Sequence, residues 1–565
     1  VNKNMCKALV LGTVLTMASA CSSSTSSDNS TSSAVTQLFT LEPTPDRNTL
    51  QKTASGYLAT LLADPANQEI TLVKVDPAVV SNKIQDLAVT LPNGEAAQFH
   101  LRDYNTITPG VDGWVGYKPS VWKQEHASSS AEIEIDPLYY LSLARDGDKI
   151  VGSVIVGGQP YRIEYVSPGQ HALIKVDESK LPTGDDALEP ESTSRTEAIG
   201  KPSTSAHSII RVLFVTTSDV RATRPNNRAE LAQALNDANQ YMKNSQIEIT
   251  FELAGYLDAD YSQGLKTAKQ QLDDMRLLKP FADVLLASRE AYRADLVSLY
   301  STTTGNCGYA WISPSKVQGH SVVTCRWALA HELGHNLGGR HNWKEGDPEG
   351  SEPARYSHGY WHSTEPKFYT RMSYPGFCGA NCPQVPFFSN PRLLYQGARM
   401  GTERNHDVAR RFNERRETVE NWYPPMPEAL NNKGRFEQGS PRSCMEAFAS
   451  SSVQFAICTS SPGQNWKIEP WEGANTSRIV GLDGQSCLKA LPDNSVTLER
   501  CLPGVPGMGN DTLWQVTGQP DDTLKIKRYG QDLCLGSMRN LMPSPELLPC
   551  NDDNHQRWMR RAIAK

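Results

Sequence analysis

The eleven residues His331-Glu332-Leu333-Gly334-His335-Asn336-Leu337-Gly338-Gly339-Arg340-His341 constrain this chain more than any other stretch. Helical spacing puts His331 and His335 one turn apart on one face, with Cβ atoms about 5–6 Å apart. Two imidazoles so placed can share one zinc ion, and Glu332 can reach a water held on that ion. Gly338 accepts positive φ, so the helix can end there sharply. The turn then returns His341 as a third ligand. Three protein ligands leave one position open, the arrangement of a catalytic rather than a structural zinc site. A surface helix that merely carries histidines is the competing reading. Gly338 and His341 at the extended offsets weigh against it. The chemistry implied is hydrolysis by a metal-activated water, with Glu332 as general base.

Downstream lies Tyr369-Thr370-Arg371-Met372-Ser373-Tyr374. Its distance beyond His341 suits a methionine turn, in which Met372 underlies the metal site as a packed thioether. Residues from about Ile209 to Tyr423 resemble a bacterial metzincin endopeptidase, of the reprolysin-like or peptidyl-Asp metalloendopeptidase kind. The segments that carry the resemblance are RVLFVTT, ADLVSLYS, CGYAWIS, HELGHNLGGRH, RMSYPGFCGANC and FFSNPRLLYQG. It implies one catalytic Zn2+, protein or glycoprotein substrates, and an oxyanion-stabilising role for Tyr374 like that of the Met-turn tyrosine in astacins and serralysins. A tyrosine that only anchors the turn is the alternative. One departure stands out: those families usually have Asp after the third histidine, and this chain has Asn342.

At 565 residues the chain is too long for one domain. A net charge of −6 gives no sign of nucleic-acid binding. Of the twelve cysteines, the last ten fall into local pairs: Cys307 with Cys325, Cys378 with Cys382, Cys444 with Cys458, Cys487 with Cys501, and Cys534 with Cys550. That pattern reads as disulfides formed in an oxidising compartment.

Residues 1–21 read as an export signal, with Lys3 and Lys7 before a short apolar run. Ala18-Ser19-Ala20-Cys21 resembles a bacterial lipoprotein cleavage box, with Ala18 where Leu is usual, which makes Cys21 a lipidation site and a point of membrane attachment. An ordinary secretory signal with an incidental Cys21 is the alternative. The expected location is outside the cytoplasm, as an outer-membrane or cell-surface lipoprotein, a secreted product after processing, or both. Residues 22–36 are a Ser/Thr-rich tether. No other segment has eighteen consecutive apolar residues, so no membrane-spanning helix is expected.

Residues 37–200 read as a β-rich domain with a polar linker at its end. A helix is expected near Leu50–Leu62, and strands over Glu69–Val75, Ala131–Ile135, Lys149–Val156 and Tyr161–Tyr165. Position and pattern resemble the pro-domain of a secreted zymogen. With no cysteine between Cys21 and Cys307, such a domain cannot cap zinc through a thiolate. A permanent accessory domain is the alternative.

Residues 205–424 alternate strand and helix, which predicts an α/β sheet. Strands are expected at Ile209–Val215, Gln246–Leu253 and Asp295–Tyr300, and helices at Arg228–Lys243, Gly264–Leu278 and Asn405–Trp422. Gly308–Ile312 is expected at the sheet edge, where the resembled family pairs substrate backbone. The acidic loop Lys344–Pro353 is open to a calcium-site or a solvated-loop reading. Arg371 falls near the expected pocket wall, where it could meet an acidic side chain or face solvent.

Residues 430–565 repeat with a period of about 43–48 residues, so one unit is used three times. Each cysteine pair is followed by a tryptophan: Trp466, Trp514 and Trp558. This resembles a ricin-type β-trefoil lectin module with its QxW motifs, although the middle motif has Thr512 in place of Gln. The family's sugar-binding Asp is replaced by Glu446, Lys489 and Gly536, so a carbohydrate ligand and a structural or protein-binding role both stay open. The whole reads as a multidomain protein: a β-rich pro-domain, an α/β metzincin domain and an all-β trefoil. Its expected function is that of an exported zinc endopeptidase targeted by a lectin-like domain. The alternative is a surface glycan-binding adhesin with an inactive protease fold.

Overall fold

The computed structural model describes residues 35–182, 187–189, 204–423 and most of 432–561. The export signal with Cys21, the tether up to residue 34, the linker over 190–203 and the boundary prolines after Tyr423 lie outside the described residues.

The N-terminal part is a ten-stranded sheet. From Asp86–Thr90 to Gln170–Val176, successive strands pair as antiparallel neighbours. Strand alternation gives this sheet two apolar faces. Trp114, Leu141 and Leu143 fill a core inside it. Val115, Tyr117 and Tyr140 face the other way and join the core of the neighbouring α/β unit. The helix expected over Leu50–Leu62 is two helices, Arg47–Thr53 and Gly56–Ala63, because Ala54 and Ser55 are extended and Gly56 takes φ of 57°. Of the strand expected at Ala131–Ile135, only Ile135 lies in this sheet; Glu132 instead bridges Leu394 of the α/β unit. There the Glu132 carboxylate accepts from the backbone N–H groups of Gln396 and Gly397.

The α/β unit is built on β1 (Ala187–Leu188), β2 (Ser208–Thr216), β3 (Ile249–Asp258), β4 (Leu296–Tyr300), β5 (Gly308–Trp311) and β6 (His320–Val323). Their order across the sheet is β1-β5-β6-β4-β2-β3, and only β5 and β6 run antiparallel. Four longer helices cover it: α1 (Asn227–Asn244), α2 (Ala268–Leu277), α3 (Phe281–Ala291) and α4 (Leu329–Asn336), followed near the C-terminus by α5 (Val408–Glu420). The expected boundaries hold to within a few residues. The edge position of β5 does not: Leu188 of the preceding linker pairs beside Trp311, and Ile312 N–H donates to Leu188 O at 2.8 Å. An unpaired strand edge is a template for another strand, and here the chain itself supplies one.

Helix α1 is sandwiched between the two sheets. A buried polar network crosses this junction. Arg326 and Glu164 form an ion pair at 2.5 Å with side chains 2% and 1% exposed. Tyr57 donates to Glu164 at 3.2 Å and to Glu230 at 3.0 Å, and Tyr300 donates to Glu230.

The C-terminal part is a separate twelve-stranded β-structure with a three-fold repeat. Trp466, Trp514 and Trp558 are fully buried in one core. Their indole N–H groups donate to the carbonyls of Met445, Leu488 and Leu535 at 2.8, 2.9 and 2.9 Å. In each repeat that acceptor directly follows the first cysteine. All five expected disulfides are present.

Candidate active site

Helix α4 carries the histidine motif, and its placement follows from apolar spacing. Leu329, Leu333 and the capping Leu337 recur every four residues and are fully buried, turning one face into the core. The opposite face then presents His331 and His335. The helix ends at Leu337. Gly338 N–H donates to His335 O and Gly339 N–H to Gly334 O, both at 2.8 Å, with Gly338 at φ of 95°. This is a Schellman turn, which needs a left-handed residue at that position. It sends the chain back so that His341 enters the site.

The three imidazoles converge through their Nε2 atoms. His331 Nε2 is 3.0 Å from that of His335 and 3.2 Å from that of His341. His331 Nδ1–H donates to Arg371 O at 2.7 Å, and His335 Nδ1–H to Gly339 O at 2.8 Å. Those bonds fix the tautomer: in the neutral rings the facing Nε2 atoms carry lone pairs. Zinc–imidazole bonds of about 2.0–2.1 Å at tetrahedral angles set ligand nitrogens about 3.3 Å apart. The donor set therefore fits a zinc ion. His358 supports the third ligand by donating Nδ1–H to His341 O at 2.8 Å. Burial, the largest influence, pushes the His358 imidazole down to about 4, which keeps it neutral.

Glu332 is fully buried, and its carboxylate lies against β5. A Cβ added at Gly308 would sit 2.2 Å from Glu332 Oε1. Met372 is fully buried beneath α4, with Sδ where a Cβ on Gly334 would come within 2.7 Å. Tyr374 Oη lies 3.0 Å from His341 Nε2. Asn342, the departure from the family pattern, has a position to explain it. Its Oδ1 accepts from Tyr374 N–H at 2.9 Å and its Nδ2 donates to Ser373 Oγ, tying the third-histidine strand to the Met turn. Aspartate could accept in the same way but could not donate.

Several residues beyond those expected position the site. Asn336 donates to Trp311 O and His320 O, fastening α4 under β5 and β6. Arg415 of α5 donates to Asn336 O. No local pattern in the sequence marks these contacts, since their partners are backbone carbonyls brought near by the fold. In the acidic loop, Glu349 pairs with Arg404 and Glu352 with Arg355. Among the described residues, this loop gathers no metal-ligating cluster.

A helix bearing two histidines, a Schellman turn to a third and a buried methionine turn beneath them define a metzincin-type metallopeptidase. Residues 228–342 match the family described as Metallo-peptidase family M12B Reprolysin-like. A peptidyl-Asp metalloendopeptidase of Xanthomonas campestris pv. campestris is 28% identical over 378 residues, covering 63% of this chain and 87% of that protein. Its Stenotrophomonas maltophilia counterpart is 28% identical over 379 residues, 64% of this chain and 89% of that protein. One from Pseudomonas aeruginosa is 27% identical and covers 40% of this chain and 42% of its own length. The chain is a metzincin-like metalloendopeptidase, and zinc is the cofactor that the matched family implies.

Proposed function

We propose that this protein is an exported zinc endopeptidase in which His331, His335 and His341 hold the metal and Glu332 is the general base. The single observation that carries the assignment is the convergence of the three Nε2 atoms, with Glu332 next to His331 on the same helix. Zinc, when bound, supplies a Lewis acid that polarises the scissile carbonyl and acidifies water. Glu332 takes the proton of the attacking water and returns it to the leaving amine. Tyr374 donates its hydroxyl to the carbonyl oxygen as charge develops there. Strand β5 pairs with extended substrate backbone once Leu188 has left it. Met372 holds the floor of the site.

The name shared by the relatives, peptidyl-Asp metalloendopeptidase, supports cleavage beside aspartate. Residues 37–200 act as a pro-domain, a reading supported by Leu181 and Pro182 lining the cleft that contains His331 and Glu332. Residues 430–565 are a β-trefoil lectin-like module that places the enzyme on its target, supported by the repeated tryptophan-to-carbonyl bonds. Export through residues 1–21 and lipidation at Cys21 complete the proposal.

The test is digestion of an unbiased peptide library by the processed protein beside Glu332→Ala. Cleavage that disappears in the variant and with chelator, and returns on adding zinc, is the expected result. Stoichiometric zinc with no cleavage of any peptide would overturn the assignment.

A further inference from the structure

Arg371 sits between the methionine turn and the cleft. Its carbonyl accepts from His331, so its backbone is fixed to the site. Its side chain is only 8% exposed. The guanidinium lies over the Tyr241 ring at 4.1 Å from the centroid, and Nη1 donates to Gln384 at 2.7 Å. Among the described residues, Nε has no hydrogen-bond partner. A buried guanidinium with a donor to spare is made to receive a planar anion. The buried carboxylate on α1, Asp237, is already engaged by Tyr140, Ser153 and Gln233.

Among the described residues, one carboxylate of the N-terminal domain also reaches this place. Glu178 and Arg371 both line the cleft that contains His331, Glu332 and Tyr374. They also share the adjoining pocket lined by Tyr140 and Tyr241. Burial raises the Glu178 carboxyl, and the Arg371 cation pulls it back. Past Glu178 the chain continues as Leu181 and Pro182 in the same cleft. Farther on, Leu188 pairs beside Trp311 on β5, and Glu189 pairs with Arg340, next to His341. The segment is thus anchored at the strand expected to take substrate, and among its described residues Glu178 is the acidic side chain that shares the cleft with the buried Arg371.

We infer that Arg371 reads an acidic side chain of the substrate, and that Glu178 holds this subsite in the uncut chain. The inference rests on the endopeptidase reading above and names the residue behind its specificity. Glu178 acts as an in-chain stand-in: it sets a carboxylate in the cleft of the guanidinium while the pro-domain is attached and must give way to a substrate carboxylate.

The test reads binding rather than cleavage. In the full chain carrying Glu332→Ala, calorimetry is run with a decapeptide containing a single Asp and with its Asn twin. Adding Glu178→Gln tightens the Asp peptide at least tenfold and changes the Asn twin less than twofold. Adding Arg371→Met to that double variant erases the preference for Asp, while Arg371→Lys keeps part of it. An Asp-peptide affinity that Glu178→Gln changes less than twofold, an Asp preference that survives Arg371→Met, or no binding of either peptide to the double variant overturns the inference. A wild-type protein that cleaves nothing in the library digestion removes the endopeptidase reading instead, a separate outcome.

Discussion

The Tyr374 hydroxyl oxygen lies 3.0 Å from Nε2 of the third histidine, His341, so it stands at the edge of the three-histidine cluster. Its backbone N–H is held independently by Asn342. Removing the hydroxyl therefore leaves the turn anchored. Losing one oxyanion donor costs about 10²–10³ in kcat. Tyr374→Phe is expected to lose that much while zinc content, measured by metal analysis, stays at the wild-type level. A kcat within twofold of wild type would reduce Tyr374 to an anchor.

Glu332 is positioned by an absent side chain. The space its carboxylate needs exists because residue 308 is glycine. Gly308→Ala places a Cβ on β5 where Oε1 now sits, and β5 is held by pairing with β6, so the carboxylate has to move. The expected result is a fall in kcat of about 10²–10⁴, the span of general-base catalysis, with zinc content unchanged. Equal loss of zinc and activity would mean that the helix, not the base, had shifted.

These two residues also show where sequence reasoning reaches and where it stops. The zinc helix was legible because ligand spacing, the leucine stripe and the Schellman glycine are local properties. So were the five disulfides and the three-fold repeat, each carried by short spacings. The break between the first two helices was not legible at Ala54–Ser55, since neither residue is a strong breaker and the turn is carried by Gly56 at φ of 57°. The covering of β5 by Leu188 was illegible for another reason: it joins residues far apart in the chain and depends on where the linker runs. The burial of Arg371 belongs to the same class. Nothing near it in sequence announces Tyr241 as its stacking partner.

The junction between the two sheets should outlast a cut in the linker. Arg326 and Glu164 are buried on opposite sides of it. Removing one partner of a buried ion pair strands the other charge and costs about 3–5 kcal/mol. After cleavage between residues 189 and 204, the N-terminal domain is expected to co-elute with the rest in gel filtration. Arg326→Met is expected to release it, and Arg326→Met with Glu164→Gln to restore much of the association. Free separation of the wild-type fragments would show that this network contributes little to holding the domains together.

Acid should weaken the N-terminal domain through His171. This side chain is 1% exposed, its Nε2 accepts from Ile150 N–H at 3.3 Å, and its ring meets Tyr165 edge-on. Burial pushes its pKa down to about 4 from 6.5, with Asp148 opposing the shift. The folded state therefore binds the proton less tightly than the unfolded one. Between about pH 4 and 6.5 the unfolded chain carries the extra proton, so stability rises with pH across that window. Lowering pH from 6.5 to 4 should cost about 3 kcal/mol from this residue alone, at about 1.4 kcal/mol per pH unit. Glutamine can accept from Ile150 but does not titrate in this range. The stability of His171→Gln, followed by urea unfolding from pH 7 to 4, should fall less steeply than that of wild type, with the gap closing as pH drops. Parallel profiles would mean that His171 is protonated in the folded chain, which its bond from Ile150 N–H forbids.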